Sequence, residues 1–443
     1  MFSFKSFKFA ILALLAIVLV ASQANWAESK EIKIGVLYEL SGPLAAAGTK
    51  TMWGVEFAAE LANNKYPDIA KYIPMAGWQG IPSLGGAKIK LIVKDTRAEP
   101  DRAANLAKML IKDEGVIGII GCRLSSVTKT ASTVAERAGI PFLCGAATSP
   151  ALTKRGYKWF VRTTPNDETF IEDVFKFLEG LTQGKARGVA PVPKDEIDGL
   201  GVACENTEWG AACFDIILRM AKKYKYNTVA SLKYPHETPD LSMEAIKILG
   251  AKPNSLVFVP YLSDAILWIR TLKENKANPK IFWGQSGTMF TAFGKAVGKD
   301  ANGILTRSVF VPKLADAKPV AKIVNELFKK RYGEPFGGAS ARSFTGMQAF
   351  VEALNIAGST KPEAIRQAFN KVNIPAEQLV VPYAGVKFED FEGHTGQNSL
   401  GGGLIAQYQG GDDIAKDPYK YLEVVYPFDI ATANLLYPFP GYK

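Results

Sequence analysis

Short apolar runs alternate with longer amphipathic stretches along most of the 443-residue chain. The apolar runs have the length and composition of buried strands and lie at 32–38, 88–94, 116–121, 141–144, 199–204, 228–232, 255–259 and 280–283. The amphipathic stretches have helical spacing and lie at 49–64, 101–112, 126–138, 168–181, 210–224, 241–249, 264–274 and 320–332. Such alternation is typical of parallel sheets covered by helices. It predicts an α/β fold with two doubly wound parallel-sheet lobes.

Local signals define some of the predicted boundaries and three interruptions. Pro100 opens one helix, and Gly139 closes another. The segments 66–86 and 183–198 are rich in proline, glycine or both, and they predict an insertion loop and a surface excursion. The tail after Val380 loses the alternation and turns to glycine, tyrosine and proline.

The N-terminal segment from Met1 to Ala24 has the pattern of a secretory signal peptide. It contains Lys5 and Lys8, no acidic residue, an apolar run at 9–20, and small residues before the predicted cleavage near Ala24. A membrane anchor is the alternative, but the run is short for a bilayer span. The pattern therefore predicts an exported, periplasmic protein with a signal peptide at residues 1–24.

Composition restricts the class of protein. Removing 24 of the 443 residues leaves about 419, which is too long for one compact core and suits two domains. The net charge of +10 comes from scattered lysines and arginines rather than a basic stripe. We therefore expect no nucleic-acid partner, and a weak preference for anionic ligands.

The four cysteines fit an oxidising compartment. We favour bridges between Cys204 and Cys213 and between Cys122 and Cys144, although the sequence leaves all three possible pairings open. The chain has no C-x-x-C spacing and only two histidines, so we expect no metal site and no cofactor.

Two neighbouring strand ends carry small, hydroxyl-bearing residues. Ser125 and Ser126 open a predicted helix whose free backbone N–H groups could receive a carboxylate, although simple capping explains most such serines. Ala146 and Thr148 follow the next strand, in a stretch that also reads as a turn. Ligands of doubly wound folds bind at the carboxyl ends of the strands, so the two loops together predict a binding site.

Aromatic residues follow two strands in the other half of the chain. Trp209 and Tyr261 could close over a ligand held between the lobes, or they could simply pack against the core. Enzymatic motifs are missing. The stretch Gly284-Gln-Ser-Gly-Thr lacks the final glycine of a nucleophile elbow, no phosphate-binding loop occurs, and His236 and His394 read as surface-loop residues. We therefore expect a binding protein and not an enzyme.

Several stretches resemble the type I periplasmic solute-binding proteins of ABC transporters, in the leucine/isoleucine/valine-binding and amide-binding class. The matching stretches are Ile32-Lys-Ile-Gly-Val-Leu with Leu40-Ser-Gly-Pro, Asp95-Thr-Arg-Ala-Glu-Pro, Gly121 to Ala131, Ala146-Ala-Thr-Ser-Pro-Ala-Leu-Thr, and Phe160-Val-Arg-Thr-Thr-Pro. The resemblance covers nearly the whole mature chain. Residues 66–86 and the tail beyond Gly403 exceed the usual family length.

The resemblance implies an architecture and a function. Two lobes are joined by three crossovers near Pro165, near Phe310 and around Gly393, so that one lobe holds 31–165 with 311–393 and the other holds 166–310 with 394–443. Such proteins are extracytoplasmic components of ABC importers. They close on a small metabolite by a hinge and deliver it to permease subunits, and they are expected to be monomers.

The resemblance also implies site residues. The family's carboxylate-binding serine and threonine fall on Ser125 and Thr148, with a backbone contact at Ala146. Its lid aromatics fall on Trp209 and Tyr261.

Two departures from the family leave the ligand open. Gln285 and Ser286 stand where amino-acid binders carry a glutamate for the ammonium group, and Ala47 replaces an aromatic residue and suggests a roomier pocket. Asp167 or Glu208 could bind the ammonium instead. The ligand is an amino acid or a related carboxylate in the leading interpretation. An amide such as urea, an aromatic carboxylate and a role as a ligand-sensing module remain alternatives, and a secreted hydrolase ranks last.

Overall fold

The computed structural model describes residues 31–442, so the predicted signal peptide lies outside the described residues. Within this range the strands are β1 (Glu31–Tyr38), β2 (Lys88–Asp95), β3 (Ile119–Gly121), β4 (Phe142–Cys144), β5 (Phe160–Arg162), β6 (Leu200–Glu205), β7 (Thr228–Tyr234), β8 (Ser255–Val259), β9 (Ile281–Gly284), β10 (Leu305–Ser308), β11 (Asn373–Pro375), β12 (Gly385–Phe391), β13 (His394–Asn398), β14 (Leu404–Tyr408) and β15 (Leu422–Tyr426).

The helices of the same range vary from one turn to twenty residues. They are α1 (Ala45–Asn63), α2 (Pro67–Ala70), α3 (Pro100–Lys112), α4 (Ser125–Ala138), α5 (Asp167–Thr182), α6 (Lys194–Ile197), α7 (Glu208–Tyr224), α8 (Ser242–Gly250), α9 (Leu262–Glu274), α10 (Thr291–Val297), α11 (Leu314–Ala317), α12 (Pro319–Tyr332), α13 (Gly338–Ala357) and α14 (Pro362–Phe369). None of them is long and apolar enough to cross a membrane.

The strands form two sheets, which confirms the predicted α/β fold with two lobes. The eight-stranded sheet of lobe 1 has the order β11-β12-β13-β5-β4-β3-β1-β2, and the seven-stranded sheet of lobe 2 has the order β15-β14-β10-β9-β8-β6-β7. The central strands pair in parallel, whereas β11, β12, β14 and β15 pair antiparallel at one end of each sheet. Both sheets are therefore mixed, with parallel centres.

The predicted helix signals agree with the observed ends. Pro100 occupies the first turn of α3, where a missing backbone N–H costs nothing. Gly139 follows α4 with φ +66°, a left-handed conformation that glycine adopts without a Cβ penalty.

The chain passes between the sheets after β5, after β10 and after β13. The third passage differs from the expected position around Gly393, because β13 pairs with β12 and β5 in lobe 1, with Gln397 opposite Arg162. The expected assignment of residues from 394 onward to lobe 2 is therefore wrong for β13. The crossing lies at 399–403, just before β14 joins the sheet of lobe 2.

Residues 66–86 and the tail after Val380 both contain regular secondary structure. Residues 66–86 contain α2 and short 3-10 turns, and they bury Ile69, Ile73, Met75 and Ile81 in the core of lobe 1. The tail after Val380 contributes β12 to β15.

The last residues run along lobe 2 and are tied to it by backbone hydrogen bonds. Leu435 N donates to Arg187 O at 2.9 Å, and Phe439 N donates to Lys280 O at 2.9 Å. Tyr442 N, near the end of the described chain, donates to the carbonyl of Ala277 at 3.0 Å. The C-terminal end therefore belongs to lobe 2.

The predicted disulfide bridges are wrong in this structure, where all four cysteines are free and buried. Cys144 Sγ points toward backbone carbonyls, 3.8 Å from Cys122 O and 3.6 Å from Ala147 O, rather than toward a second sulfur. Cys204 lies in β6 and Cys213 in α7, where both fill an apolar core. Burial raises the pKa of all four thiols.

Candidate ligand-binding cleft

The loops that follow the parallel strands of the two lobes meet face to face. Ser149 Oγ, after β4 of lobe 1, donates to Glu208 Oε1 at the start of α7 in lobe 2, over 3.0 Å. Lys50 of α1 hydrogen-bonds Thr291 at the start of α10. The carboxyl ends of the strands thus line an interlobe cleft, which is where ligands of doubly wound folds bind.

The hydroxyl-bearing loops of lobe 1 lie side by side in this cleft. Ser125 is the first residue of α4 and is 1% exposed, and its Oγ accepts from Ser149 N at 3.3 Å. Leu124 occupies the N-cap position, so neither Ser125 nor the half-buried Ser126 caps the helix with its side chain, contrary to the sequence-based interpretation. Thr148, 2% exposed, is buried beside this helix start.

Lobe 2 contributes an acidic group next to Thr148. Asp167, the buried first residue of α5, donates its backbone N–H to Thr148 O at 2.9 Å. Its Oδ1 accepts from Gln285 Nε2 and from Arg307 Nη1, each at 2.9 Å. Arg307 Nη2 also lies 3.5 Å from Thr148 Oγ1. The sequence analysis missed Arg307, which comes from β10.

Two acceptors in this cluster have no partner. Asp167 Oδ2 and Gln285 Oε1 are buried, and neither accepts a hydrogen bond from any residue within 31–442. Glu208 Oε2 is also buried and accepts no hydrogen bond within the same range, although Glu208 Oε1 accepts from Ser149. Buried acceptors without donors are costly, so these atoms are suited to a ligand that brings donors.

The predicted aromatic lid residues form a stacked wall. The rings of Trp209 and Tyr261 are 4.9 Å apart with 36° between their planes, and both side chains are buried. The ring of His236 also lies 4.7 Å from that of Tyr261, and its Nδ1 is 2.9 Å from Asp264 Oδ2. His236 is therefore part of the supporting wall, and not the loose surface residue that the sequence analysis expected.

The other histidine is also buried. His394 is 1% exposed, with Nδ1 2.7 Å from Thr153 Oγ1 and Nε2 3.1 Å from Glu168 Oε2. It joins β13 of lobe 1 to α5 of lobe 2, so the interpretation of His394 as a surface-loop residue is wrong.

A buried ion pair completes the lobe 1 side and was not singled out from the sequence. Glu39 follows β1 and accepts from Arg123 Nε, which lies two residues before Ser125. Burial raises the pKa of Glu39, and the Arg123 charge opposes this shift. The sequence contained a signal for this pair. Glu39 directly follows the apolar run at 32–38, and Arg123 is a charged residue in the small, otherwise uncharged loop after the run at 116–121.

Another buried arginine supports the Ala146 loop. Arg342 of α13 donates from Nη1 to Ala146 O at 3.1 Å, so that carbonyl is already occupied by a protein donor. Desolvation lowers the pKa of Arg342 to about 10, with the nearby Arg307 charge acting in the same direction. The sequence analysis missed Arg342 together with the helix that carries it.

The remaining predicted positions, Ser286 and Ala47, are both buried. Ser286 has φ +59° and precedes a short 3-10 turn, with no hydrogen bond from its side chain to that turn. Ala47 is 1% exposed and belongs to the same apolar cluster as Met289 and Phe290 of lobe 2.

A family model described as "Periplasmic binding protein" matches residues 31–407, which include the sheet of lobe 1, the parallel centre of the sheet of lobe 2 and every cleft residue described above. The chain belongs to this family. Its members are binders and not enzymes, in agreement with the sequence-based expectation.

This periplasmic binding protein has curated relatives of nearly equal length. It is 28% identical over 439 residues to Leu/Ile/Val-binding protein homolog 7 of Brucella abortus strain 2308, covering 96% of this chain and 99% of the relative. It is 27% identical over 424 residues to Leu/Ile/Val-binding protein homolog 8 of Brucella suis biovar 1, covering 94% and 96%.

Solved structures share the fold of this periplasmic binding protein. The leucine-binding protein LivK of Thermotoga maritima superposes with a TM-score of 0.71 at 18% identity, covering 90% of this chain and 100% of that one. LivJ of Streptococcus pneumoniae, solved in complex with isoleucine, has a TM-score of 0.68 at 20% identity and covers 86% and 97%. These similarities establish the fold.

Proposed function

We propose that this protein is the extracytoplasmic substrate-binding component of an ABC importer, and that its ligand is an α-amino acid. The observation that carries the proposal is the juxtaposition of hydroxyl groups at Ser125 and Thr148 with unpartnered acceptors at Asp167 and Gln285. An α-amino acid presents a carboxylate and an ammonium on the same carbon. Adjacent donors and acceptors are complementary to that pair of charges.

The carboxylate binds at the start of α4. The first backbone N–H groups of a helix carry partial positive charge and have no intrahelical acceptor, so they favour an anion. The Ser125 and Thr148 hydroxyls add donors to the same corner, and the Arg307 guanidinium, 3.5 Å from Thr148 Oγ1, adds positive charge.

The ammonium binds at Asp167 Oδ2 and Gln285 Oε1. Both atoms are acceptors without a donor among residues 31–442, and the Gln285 Nε2 bond to Asp167 Oδ1 at 2.9 Å holds the two side chains together. Asp167 thereby takes the place of the missing family glutamate. The names of the Brucella relatives, which are Leu/Ile/Val-binding protein homologues, support an amino-acid ligand.

Binding couples to lobe closure. The carboxylate contacts come mainly from lobe 1, whereas Asp167, Gln285, Trp209 and Tyr261 belong to lobe 2. Only a closed arrangement offers both sets of contacts, so the ligand shifts the population toward it. The permease would then receive the closed, loaded protein in the periplasm after signal-peptide removal.

Calorimetric titration with ligand analogues tests the proposal. The mature protein is titrated with a panel of α-amino acids, and each hit is repeated as its α-hydroxy acid and as its α-amino amide. Either change should weaken binding by at least ten-fold, since each removes one charged hydrogen-bonding group. A hydroxy acid that binds as tightly as the amino acid, or silence across the amino-acid panel, would contradict the proposal.

A further inference from the structure

We propose that Glu39 and Arg123 form a subsite for a carboxamide group on the ligand's side chain, so that the preferred substrate is a polar, amide-bearing amino acid. This inference rests on the proposed function, because it assumes that the amino-acid end of the ligand lies at Ser125 and Asp167.

The pair lies inside the cleft. Glu39 and Arg123 follow β1 and β3, which are neighbours in the sheet of lobe 1. The Arg123 guanidinium carbon lies 5.7 Å from the Tyr261 ring centroid and 5.9 Å from that of Phe290, both in lobe 2. Arg123 is also two residues from Ser125. The side chain of an amino acid held at Ser125 would therefore lie close to this pair.

The pair is buried, and each of its two side chains has an atom without a hydrogen-bond partner among residues 31–442. The side chains of Glu39 and Arg123 are 0% and 4% exposed, and a single contact from Nε to Oε1 joins them. Glu39 Oε2 and Arg123 Nη2 have no hydrogen-bond partner in the described part of the chain. A buried carboxylate–guanidinium pair is stable when its remaining donors and acceptors are also hydrogen-bonded. The described part of the chain supplies no partner for these two atoms, so a ligand is suited to supply it.

Glu205 of lobe 2 provides a comparison with Glu39. Each glutamate lies at the end of a strand, and a glycine of the next helix packs against its backbone carbonyl. A Cβ at Gly210 of α7 would lie 2.0 Å from Glu205 O, and one at Gly48 of α1 would lie 1.8 Å from Glu39 O. Glu205, however, is satisfied locally: its Oε1 accepts from Gly210 N at 2.7 Å and from Thr207 Oγ1 at 2.8 Å. A glutamate in this setting can be satisfied by its own helix start, whereas Glu39 turns to Arg123 and keeps a free oxygen.

A carboxamide matches the two free atoms. Arg123 Nη2 can donate to the amide oxygen while Glu39 Oε2 accepts from the amide NH₂. A side-chain carboxylate offers only acceptors and would face the Glu39 charge, whereas an ammonium offers only donors and would face Arg123. An aliphatic side chain would leave both buried atoms unsatisfied.

A set of isosteric ligands tests this on the wild-type protein by calorimetry. Asparagine, aspartate and leucine branch at the same carbon with the same number of non-hydrogen atoms, and glutamine with glutamate extends the series by one methylene. We expect asparagine or glutamine to bind at least ten-fold more tightly than leucine and than the matching carboxylate, since a site built to hydrogen-bond a polar group rejects analogues that lack it.

The outcomes separate this inference from the proposed function. Leucine binding more tightly than both amides would overturn the carboxamide subsite and leave the amino-acid proposal standing. Absence of binding by every amino acid would overturn both.

A variant supplies an independent measurement. Glu39→Gln should reduce the ratio of amide to leucine affinity by at least ten-fold with little change for leucine, because only the amide uses Glu39 Oε2. Glu60→Gln, which removes a partly exposed ion pair with Arg331, serves as the control and should leave the ratio unchanged. An unchanged ratio in a folded Glu39→Gln protein would overturn the subsite, and if that variant does not fold the wild-type series decides.

Discussion

Ser149 of lobe 1 donates its hydroxyl to Glu208 of lobe 2 over 3.0 Å, and the same residue donates its backbone N–H to Ser125 Oγ. This contact between the lobes is thus one residue from Thr148 and bonded to Ser125. The interlobe contact and the proposed carboxylate site share a loop, so we expect a change in one to affect the other.

Ser149→Ala should favour the open arrangement. Loss of this interlobe hydrogen bond removes about 1 kcal/mol from the closed state, since the acceptor is only half buried. We expect a larger radius of gyration by small-angle X-ray scattering without ligand and an affinity lowered roughly five-fold. Ser242→Ala, which affects only an exposed turn within lobe 2, is the control. Equal scattering curves for both variants would contradict the assignment.

The double variant Ser125→Ala with Thr148→Ala should weaken ligand binding by about 2–4 kcal/mol, because two hydrogen bonds to a charged carboxylate are lost. Calorimetry provides the measurement, and a retained melting temperature of the unliganded protein shows that the fold is intact. Unchanged affinity would remove these hydroxyls from the site.

Asp167 and Arg307 should show non-additive effects on stability. Each single change, Asp167→Asn or Arg307→Met, leaves a buried charge without its partner and should cost about 3–5 kcal/mol of unfolding free energy. The double variant should be closer to wild type than the sum, because neither charge remains. Urea denaturation of all four proteins measures the coupling, and simple additivity would show that the pair is not a unit.

The contact between Glu168 of α5 and His394 of β13 should make the stability of the protein sensitive to acid. Its hydrogen bond with His394, together with Lys154 and Arg219, lowers its pKa from 4.5 to about 2. A depressed carboxyl pKa contributes stability above pH 4.5 that is lost as the pH falls toward 2. The difference in stability between wild type and Glu168→Gln should therefore shrink as the pH falls through this interval. A difference that does not depend on pH would contradict this role.

The free thiols can be counted directly. We expect four reactive thiols on unfolding the unreduced protein in denaturant and slow labelling of the native protein, since all four cysteines are buried and burial raises their pKa. Fewer than four would show that a pair has oxidised.

Much of the fold was predictable because its central strands are uniformly buried and separated by helices with one apolar face. The helix α13 was not, since 16 of its 20 residues are buried and it shows no polar face. The strands β12 to β15 were also missed, because the glycines, tyrosines and prolines of the stretches around them have the composition of a loop.

Some residues of the candidate site were likewise predictable from the sequence, and others were not. Ser125, Thr148, Trp209 and Tyr261 follow strands directly, so their place at the strand ends is a local property of the sequence. The contacts of Arg307 with Asp167 join residues 140 positions apart, and those of Arg123 with Glu39 join residues 84 positions apart. Only the packed sheets bring such pairs together.

The two ends of the described chain belong to different lobes. Glu31 begins β1 of lobe 1, whereas Tyr442 is tied to Ala277 of lobe 2. If the cleft closes on its ligand as proposed, fluorophores attached next to Glu31 and Tyr442 would change their separation. Energy transfer between labels at these two positions should then report ligand occupancy without any substitution in the cleft.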